Sequence, residues 1–328
     1  MKIAYLMFSD HYYYDIVPVL KELVRQGDHC FIMVNDEKTR DSVTIAFGDD
    51  PRVHVSHTQE FAQEGDMSLA RGTLIQMKEA LEYEDAHYDY YVNLTTGMLP
   101  VKTRTEIVKF LEDNPGDYYY VDHTEKDDPK LRKNTLKYYT FTNVLTFPDS
   151  KHVKNRTKRW AAFLNLLHIR RKLDDFMSIG SPWFIFTPAT AQVLADNYPY
   201  CSDAFKLSWY AEEMCYSMMI NKFMPGHEHI NKDLRVVGPD GHWVEGQGAR
   251  ELKKDVLEAH PEALFGGKVY DDEDDEDVHA FYEEVLKTYN SDYTGGEIGK
   301  KNPREYNEAQ FNQLVDELGE ARKNRDGE

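Results

Sequence analysis

Apolar residues in the first half of the chain alternate between two periods. Ile3-Ala4-Tyr5-Leu6-Met7-Phe8 is an unbroken apolar run, as expected of a strand buried on both faces. Val17, Leu20, Leu23 and Val24 follow at helical spacing, and Gly27 stops that helix. Cys30-Phe31-Ile32-Met33-Val34 predicts a second strand and Arg52 to Val55 a short third one. Leu69 to Glu82 reads as a helix with Leu74, Met77 and Leu81 on one face. Tyr90-Tyr91-Val92-Asn93-Leu94 is another buried strand, and Thr103 caps a helix that turns Ile107, Val108 and Leu111 inward. Asp117 to Val121 returns as a strand.

Continuous apolar strands separated by helices predict an α/β fold with a mainly parallel sheet covered on both faces. Ligands of such sheets sit beyond the carboxyl ends of the strands. The polar residues just after strands are therefore the candidates: Asp10 and His11, Asn35 and Asp36, Thr95 to Pro100, Asp122 and His123. The second half predicts a long helical region from about Lys151 to Met177, a strand Trp183–Phe186, and helices near Ala189–Asn197 and Tyr210–Lys222. From Asp271 onward the chain is acidic and helical, so residues 1–271 read as one domain and 272–328 as an acidic helical extension.

A chain of 328 residues that is 41% hydrophobic and 13% aromatic can bury a sizeable core. Its net charge of −19 speaks against a nucleic-acid binder, whose affinity rests on Lys and Arg. The acidic run Asp271–Asp277 reads as a solvated loop rather than a metal site. One segment goes the other way: Lys151 to Lys172 holds eight Lys or Arg and no Asp or Glu. That segment suits an anionic acceptor or peripheral contact with a membrane surface, and equally a solvated helix face. Three widely spaced cysteines form neither a disulfide framework nor a zinc pattern. The apolar run at the N-terminus is too short for a signal peptide or a membrane span, so the chain reads as cytoplasmic. There is no GxGxxG, GxxxxGK[ST] or HExxH. His227-Glu228-His229 reads as a surface loop, and no metal is expected.

Six blocks stand in a telling order. Met33-Val34-Asn35-Asp36-Glu37-Lys38 resembles an HVDxK strand end, and Gly65-Asp66-Met67-Ser68-Leu69-Ala70-Arg71 a WGGxSLVxA helix start. The stretch from Asp89-Tyr90-Tyr91-Val92-Asn93-Leu94 through Thr95-Thr96-Gly97-Met98-Leu99-Pro100 to Val101-Lys102-Thr103 resembles DYFINLSGxDxPLKT. Gly180-Ser181-Pro182-Trp183-Phe184 resembles GSxWW, Ala211-Glu212-Glu213 resembles PDE, and Leu264-Phe265-Gly266-Gly267-Lys268-Val269-Tyr270-Asp271 resembles LFARKFD. In this order they resemble the core-2/I-branching N-acetylglucosaminyltransferase family, which is related to the peptide O-xylosyltransferases. The chain looks like a bacterial cytoplasmic-type member.

The resemblance implies a GT-A-type fold and inverting, metal-independent transfer of a sugar from a UDP-sugar to an acceptor hydroxyl. The sugar would be N-acetylglucosamine, glucose or xylose-like, and the acceptor a carbohydrate, glycoprotein or glycolipid. No cofactor beyond the UDP-sugar donor is implied. The catalytic carboxylate falls on Glu213, with Glu212 at the preceding acid. On a continuous helix the two point about 100° apart, so only one of them would face the site. The phosphate-binding lysine falls on Lys268 and a second cation on Arg235, with Arg250 as rival. Asp10, Asn35 and Asp36 are expected at the nucleotide, and Thr96, Gly97, Ser181 and Trp183 at sugar or acceptor. Met98 stands where the family has Asp, so this chain departs from the family pattern at that corner. Two other readings stay open: a metal-dependent glycosyltransferase using Asp122, and an inactive nucleotide-sugar-binding homologue.

Overall fold

The computed structural model describes residues 1–9, 13–35, 37–48, 50–58, 67–139, 151–238, 241–245, 251–272 and 274–296. The first half runs β1 (Ile3–Ser9), α1 (Tyr13–Val24), β2 (His29–Val34), α2 (Glu37–Phe47), β3 (Val53–Val55), α3 (Ser68–Leu81), β4 (Tyr90–Thr95), β5 (Leu99–Pro100), α4 (Arg104–Asp113) and β6 (Tyr118–Thr124). The second half runs α5 (Pro129–Thr135), α6 (Lys151–Leu166), β7 (Ser178–Phe186), α7 (Pro188–Asp196), α8 (Tyr198–Ala204), a 3-10 turn (Ala211–Glu213), α9 (Cys215–Phe223), β8 (Arg235–Val237), α10 (Lys254–Ala259), β9 (Phe265–Gly267) and α11 (Glu276–Thr288).

Among the described residues the strands build a six-stranded sheet in the order β3-β2-β1-β4-β7-β6 and a small β5-β9-β8 sheet. β1 pairs in parallel with β2 and β4, and β2 with β3. Every residue of β1 and β2 is buried, which is why these strands read as continuous apolar runs rather than as alternation. The fold is α/β with a mostly parallel central sheet, as predicted. β7 is longer than the run Trp183–Phe186 suggested and lies antiparallel between β4 and β6. Helix α3 comes so close to β1 that a Cβ on Gly72 would stand 2.3 Å from the Phe8 ring. Thr103 and Glu106 form a reciprocal capping box at the start of α4.

At the amino ends of the parallel strands, Asp28 is fully buried. It accepts from Ile3 N at 2.9 Å, from Arg104 Nε at 2.5 Å and from Tyr289 Oη at 2.7 Å. Tyr289 in turn meets the hydroxyl of Tyr5 at 2.6 Å. This carboxylate thus ties β1, β2 and α4 to the chain just after α11. Tyr282, Val285 and Leu286 of α11 lie in the same core as the sheet, inside the stretch that the sequence set apart as an extension. Part of the acidic run has a structural use: the Asp275 side chain accepts from the backbone of Asp277 and Val278 and caps α11.

Candidate active site

The carboxyl edge of the sheet is closed by a few short bonds. Thr96, just past β4, donates its hydroxyl to Ser9 Oγ at 3.0 Å and its N–H to Phe8 O at 3.2 Å. Asn35, just past β2, donates its N–H to Ser9 O at 3.1 Å. Thr96 is buried, so its hydroxyl serves to join β4 to β1. Gly97 follows with φ +77° and turns the chain into β5. Its carbonyl accepts the N–H of Val269 at 2.8 Å, and the Leu252 N–H donates to Lys268 O at 2.8 Å. Lys268 is thereby held beside the ends of β1 and β4, with its ammonium 5.9 Å from the Tyr270 ring centre. Met98 is fully buried under Gly267, so this position offers packing where a carboxylate would offer charge. Asp10, Asp36 and Arg250 lie outside the described residues.

The two glutamates sit on a break, not on a continuous helix. Tyr210 takes a left-handed φ of 55° and opens the 3-10 turn, and α9 starts only at Cys215. Glu212 and Glu213 are both buried and both border one tight cleft with Trp183, Ser181 and Tyr120. The continuous helix expected for this pair is therefore corrected: a 3-10 turn places both residues beside the same cleft. Its free volume is about 10 Å³, the space of roughly one water. Gly180 forms part of the wall for a steric reason, because a Cβ there would stand 1.9 Å from Tyr120 O, where β6 and β7 slip register. Trp183 is 6% exposed, and its ring belongs to the core as well as to the cleft.

Arg235, expected at the diphosphate, is buried in the seam between β4 and β7. Its Nη2 donates to Asn93 O at 3.0 Å and to Phe184 O at 2.8 Å, and the guanidinium lies 5.2 Å from the Phe265 ring centre. Asn93 fills the rest of the same seam, accepting from Phe184 N at 2.7 Å and donating to Pro182 O at 2.9 Å. Together the two side chains wedge β4 from β7 where direct pairing stops after Val92. Burial lowers the Arg235 pKa to about 10. The nearest carboxylate is Asp233, 3.9 Å away, whose pKa burial raises. Asp233 also accepts the Ser181 hydroxyl at 2.6 Å, so Ser181 is a strut at the cleft rim. Sequence reasoning missed Asp233, although its place two residues before Arg235 was a usable signal. A larger cavity of about 710 Å³, bordered by Asp233, Asn231 and Trp243, opens on the other side of Tyr120.

A sequence profile of the core-2/I-branching enzymes matches residues 3–259. The chain belongs to the core-2/I-branching enzyme family. Members of this family are glycosyltransferases, and the α/β architecture with its mostly parallel sheet agrees with a GT-A-like fold. No curated protein matches the chain. Among solved structures, A197 from STIV is similar at 10% identity over 58% of this chain and 68% of that one, with a TM-score of 0.22. So loose an overlap carries no argument about this branching-family protein.

Proposed function

We propose that this protein transfers a sugar, with inversion and without a metal ion, from a UDP-sugar to a carbohydrate hydroxyl. The donor sugar is N-acetylglucosamine, glucose or a xylose-like pentose. The observation that carries the reading is the junction of Gly97 with Lys268 and Val269, which holds a lysine at the carboxyl edge of a mostly parallel sheet. In the transfer, the acceptor oxygen attacks the anomeric carbon and its proton passes to Glu213. The bond from that carbon to the β-phosphate oxygen breaks, and the charge gathering on UDP is offset by Lys268. The second cation is Arg235 or its rival Arg250. Glu212, on the same cleft, orients the acceptor or shares the proton. Further sugars of the acceptor would occupy the cavity beyond Tyr120, where Trp243 supplies a ring face and Asp233 a carboxylate.

The test is UDP release from a panel of UDP-sugars, with water or simple glycosides as acceptor, in excess EDTA. Release from one donor above the others, unchanged by EDTA, is the expected result. Activity abolished by EDTA and restored by Mn²⁺ would overturn the metal-independent mechanism. UDP binding with no turnover of any donor would leave a nucleotide-binding homologue instead.

A further inference from the structure

Seven large apolar side chains stand exposed among the described residues, and five of them fall within residues 160–169: Trp160, Phe163, Leu166, Leu167 and Ile169. The helix α6 explains part of this clustering. Thr157 and Ala161, one turn apart, are buried, while Trp160, Phe163 and Leu167 follow at i, i+3 and i+7 on the outward side. The Trp160 and Phe163 rings lie 5.3 Å apart. A left-handed residue, His168 at φ 58°, then turns the chain so that Ile169 is also exposed. Arg171 fixes the far end by donating Nη1 to Ala204 O at 2.7 Å and Nη2 to Thr135 O.

The charge around this patch is one-sided. Arg156, Lys158, Arg159, Arg170 and Lys172 are exposed, and no Asp or Glu occurs from residue 151 to 172 in a chain of net charge −19. Such a chain would be repelled from an anionic surface everywhere else and would meet it by this face. No helix of the described residues is long and apolar enough to cross a membrane. Apolar side chains flanked by Lys and Arg on one helix face suit the headgroup boundary of a bilayer instead.

The patch is also joined to the candidate site. Lys158 Nζ lies 5.9 Å from the Trp209 ring centre, and Tyr139 packs on Trp209 with centroids 5.6 Å apart. Trp209 immediately precedes Tyr210, the residue that opens the turn carrying Glu212 and Glu213. We propose that α6 and the turn after it dock this protein on an anionic phospholipid bilayer, and that the acceptor is a saccharide carried on a lipid in that surface. The acceptor class rests on the glycosyl-transfer reading above, whereas the docking does not.

Co-sedimentation with phosphatidylcholine vesicles, with and without phosphatidylglycerol, tests the docking in the absence of any sugar donor. The protein should pellet with the anionic vesicles, and binding should weaken about tenfold or more in roughly 1 M salt, where the Debye length is about 3 Å. The triple variant Trp160→Ser, Phe163→Ser, Leu167→Ser should lose vesicle binding while keeping the wild-type melting temperature. Arg159→Glu with Arg170→Glu should do the same. Equal pelleting of wild type and both variants would overturn the docking, and so would failure of the wild type to bind anionic vesicles. A dimer that the triple variant turns into a monomer, with no vesicle binding, would assign the face to self-association and also overturn it. With an alkyl glycoside embedded in the vesicles, the triple variant should transfer at least tenfold more slowly, with UDP release to water unchanged. Equal transfer would overturn the lipid-borne acceptor. Vesicle binding without any UDP release would sink the transfer reading and leave the docking standing.

Discussion

Gly97 and Lys268 are in near contact: a Cβ built on Gly97 would stand 3.3 Å from the Lys268 Cβ and 3.1 Å from Val269 O. The Val269 N–H already bonds to the Gly97 carbonyl at 2.8 Å. Two stretches far apart in sequence, one at Gly97 and one at Lys268, therefore share one corner at the carboxyl edge of the sheet. The left-handed φ of +77° makes this corner a glycine position on backbone grounds, and the crowding makes it one on packing grounds.

Gly97→Ala should cost about 1–2 kcal/mol of stability, the usual penalty of a side chain in left-handed backbone. UDP release should slow beyond what that loss of folded protein explains, because the Lys268 main chain has to give way. Chemical denaturation and turnover at a temperature well below melting separate the two effects. Lys268→Ala, which leaves the corner intact, should reduce turnover by about 10²–10³-fold. Wild-type rates in Lys268→Ala would remove this lysine from the reaction.

Glu213→Gln should leave UDP binding near normal while turnover falls by roughly 10²–10⁴-fold. Because both residues border the same cleft, Glu212→Gln should also lower activity, chiefly by raising the acceptor KM. A collapse of kcat in Glu212→Gln, with Glu213→Gln active, would move the proton acceptor one residue back. Calorimetric UDP titrations of both variants establish that the donor site is intact.

Arg235→Met should destabilise the fold by about 3–5 kcal/mol, the scale for removing one partner of a buried charged network. It strands the carbonyls of Asn93 and Phe184 and leaves Asp233 without its nearby cation. UDP affinity of the remaining folded protein should be close to that of wild type. A variant with an unchanged melting temperature and a large loss of UDP affinity would restore the diphosphate role.

Stability should fall as the solution is acidified, through His29 and His54. Burial lowers the His29 pKa from 6.5 to about 3 and that of His54 to about 4. The two rings stack, with His29 Nδ1 3.1 Å from His54 Nε2 and 3.0 Å from Tyr88 Oη. Below pH 6.5 the unfolded chain takes up protons at these rings and the folded chain does not. Their contribution is therefore complete above pH 6.5 and is lost progressively as the pH falls toward 4. Melting temperatures measured from pH 7 to pH 4.5 should decline, and the double variant His29→Gln, His54→Gln should show a shallower slope. Identical slopes would show that other groups govern the acid limb.

Much of the fold was legible because burial on both faces leaves a plain mark. Ile3 to Phe8 is apolar without interruption and Tyr90 to Leu94 is broken only by Asn93, as strands covered on both faces of a mostly parallel sheet require. The break between Ala211–Glu213 and α9 was not legible: Tyr210 is an aromatic residue in left-handed backbone, and no glycine or proline marks the place. The structural bonds of Arg235 were not legible for a related reason: nothing nearby in sequence shows the two carbonyls, from Asn93 and Phe184, that its guanidinium meets.

The sequence by itself determined the α/β architecture and the family, because each depends on local periodicity or on contiguous blocks. Only the tertiary structure decided which neighbours these side chains meet. It turned Arg235 and Ser181 into struts, brought Glu212 and Glu213 to one cleft, and showed Trp160, Phe163 and Leu167 facing outward. The physical reason is that a buried polar group takes whatever partner the fold brings within about 3 Å. For Arg235 those partners lie 51 and 142 residues away along the chain, beyond the reach of any local pattern.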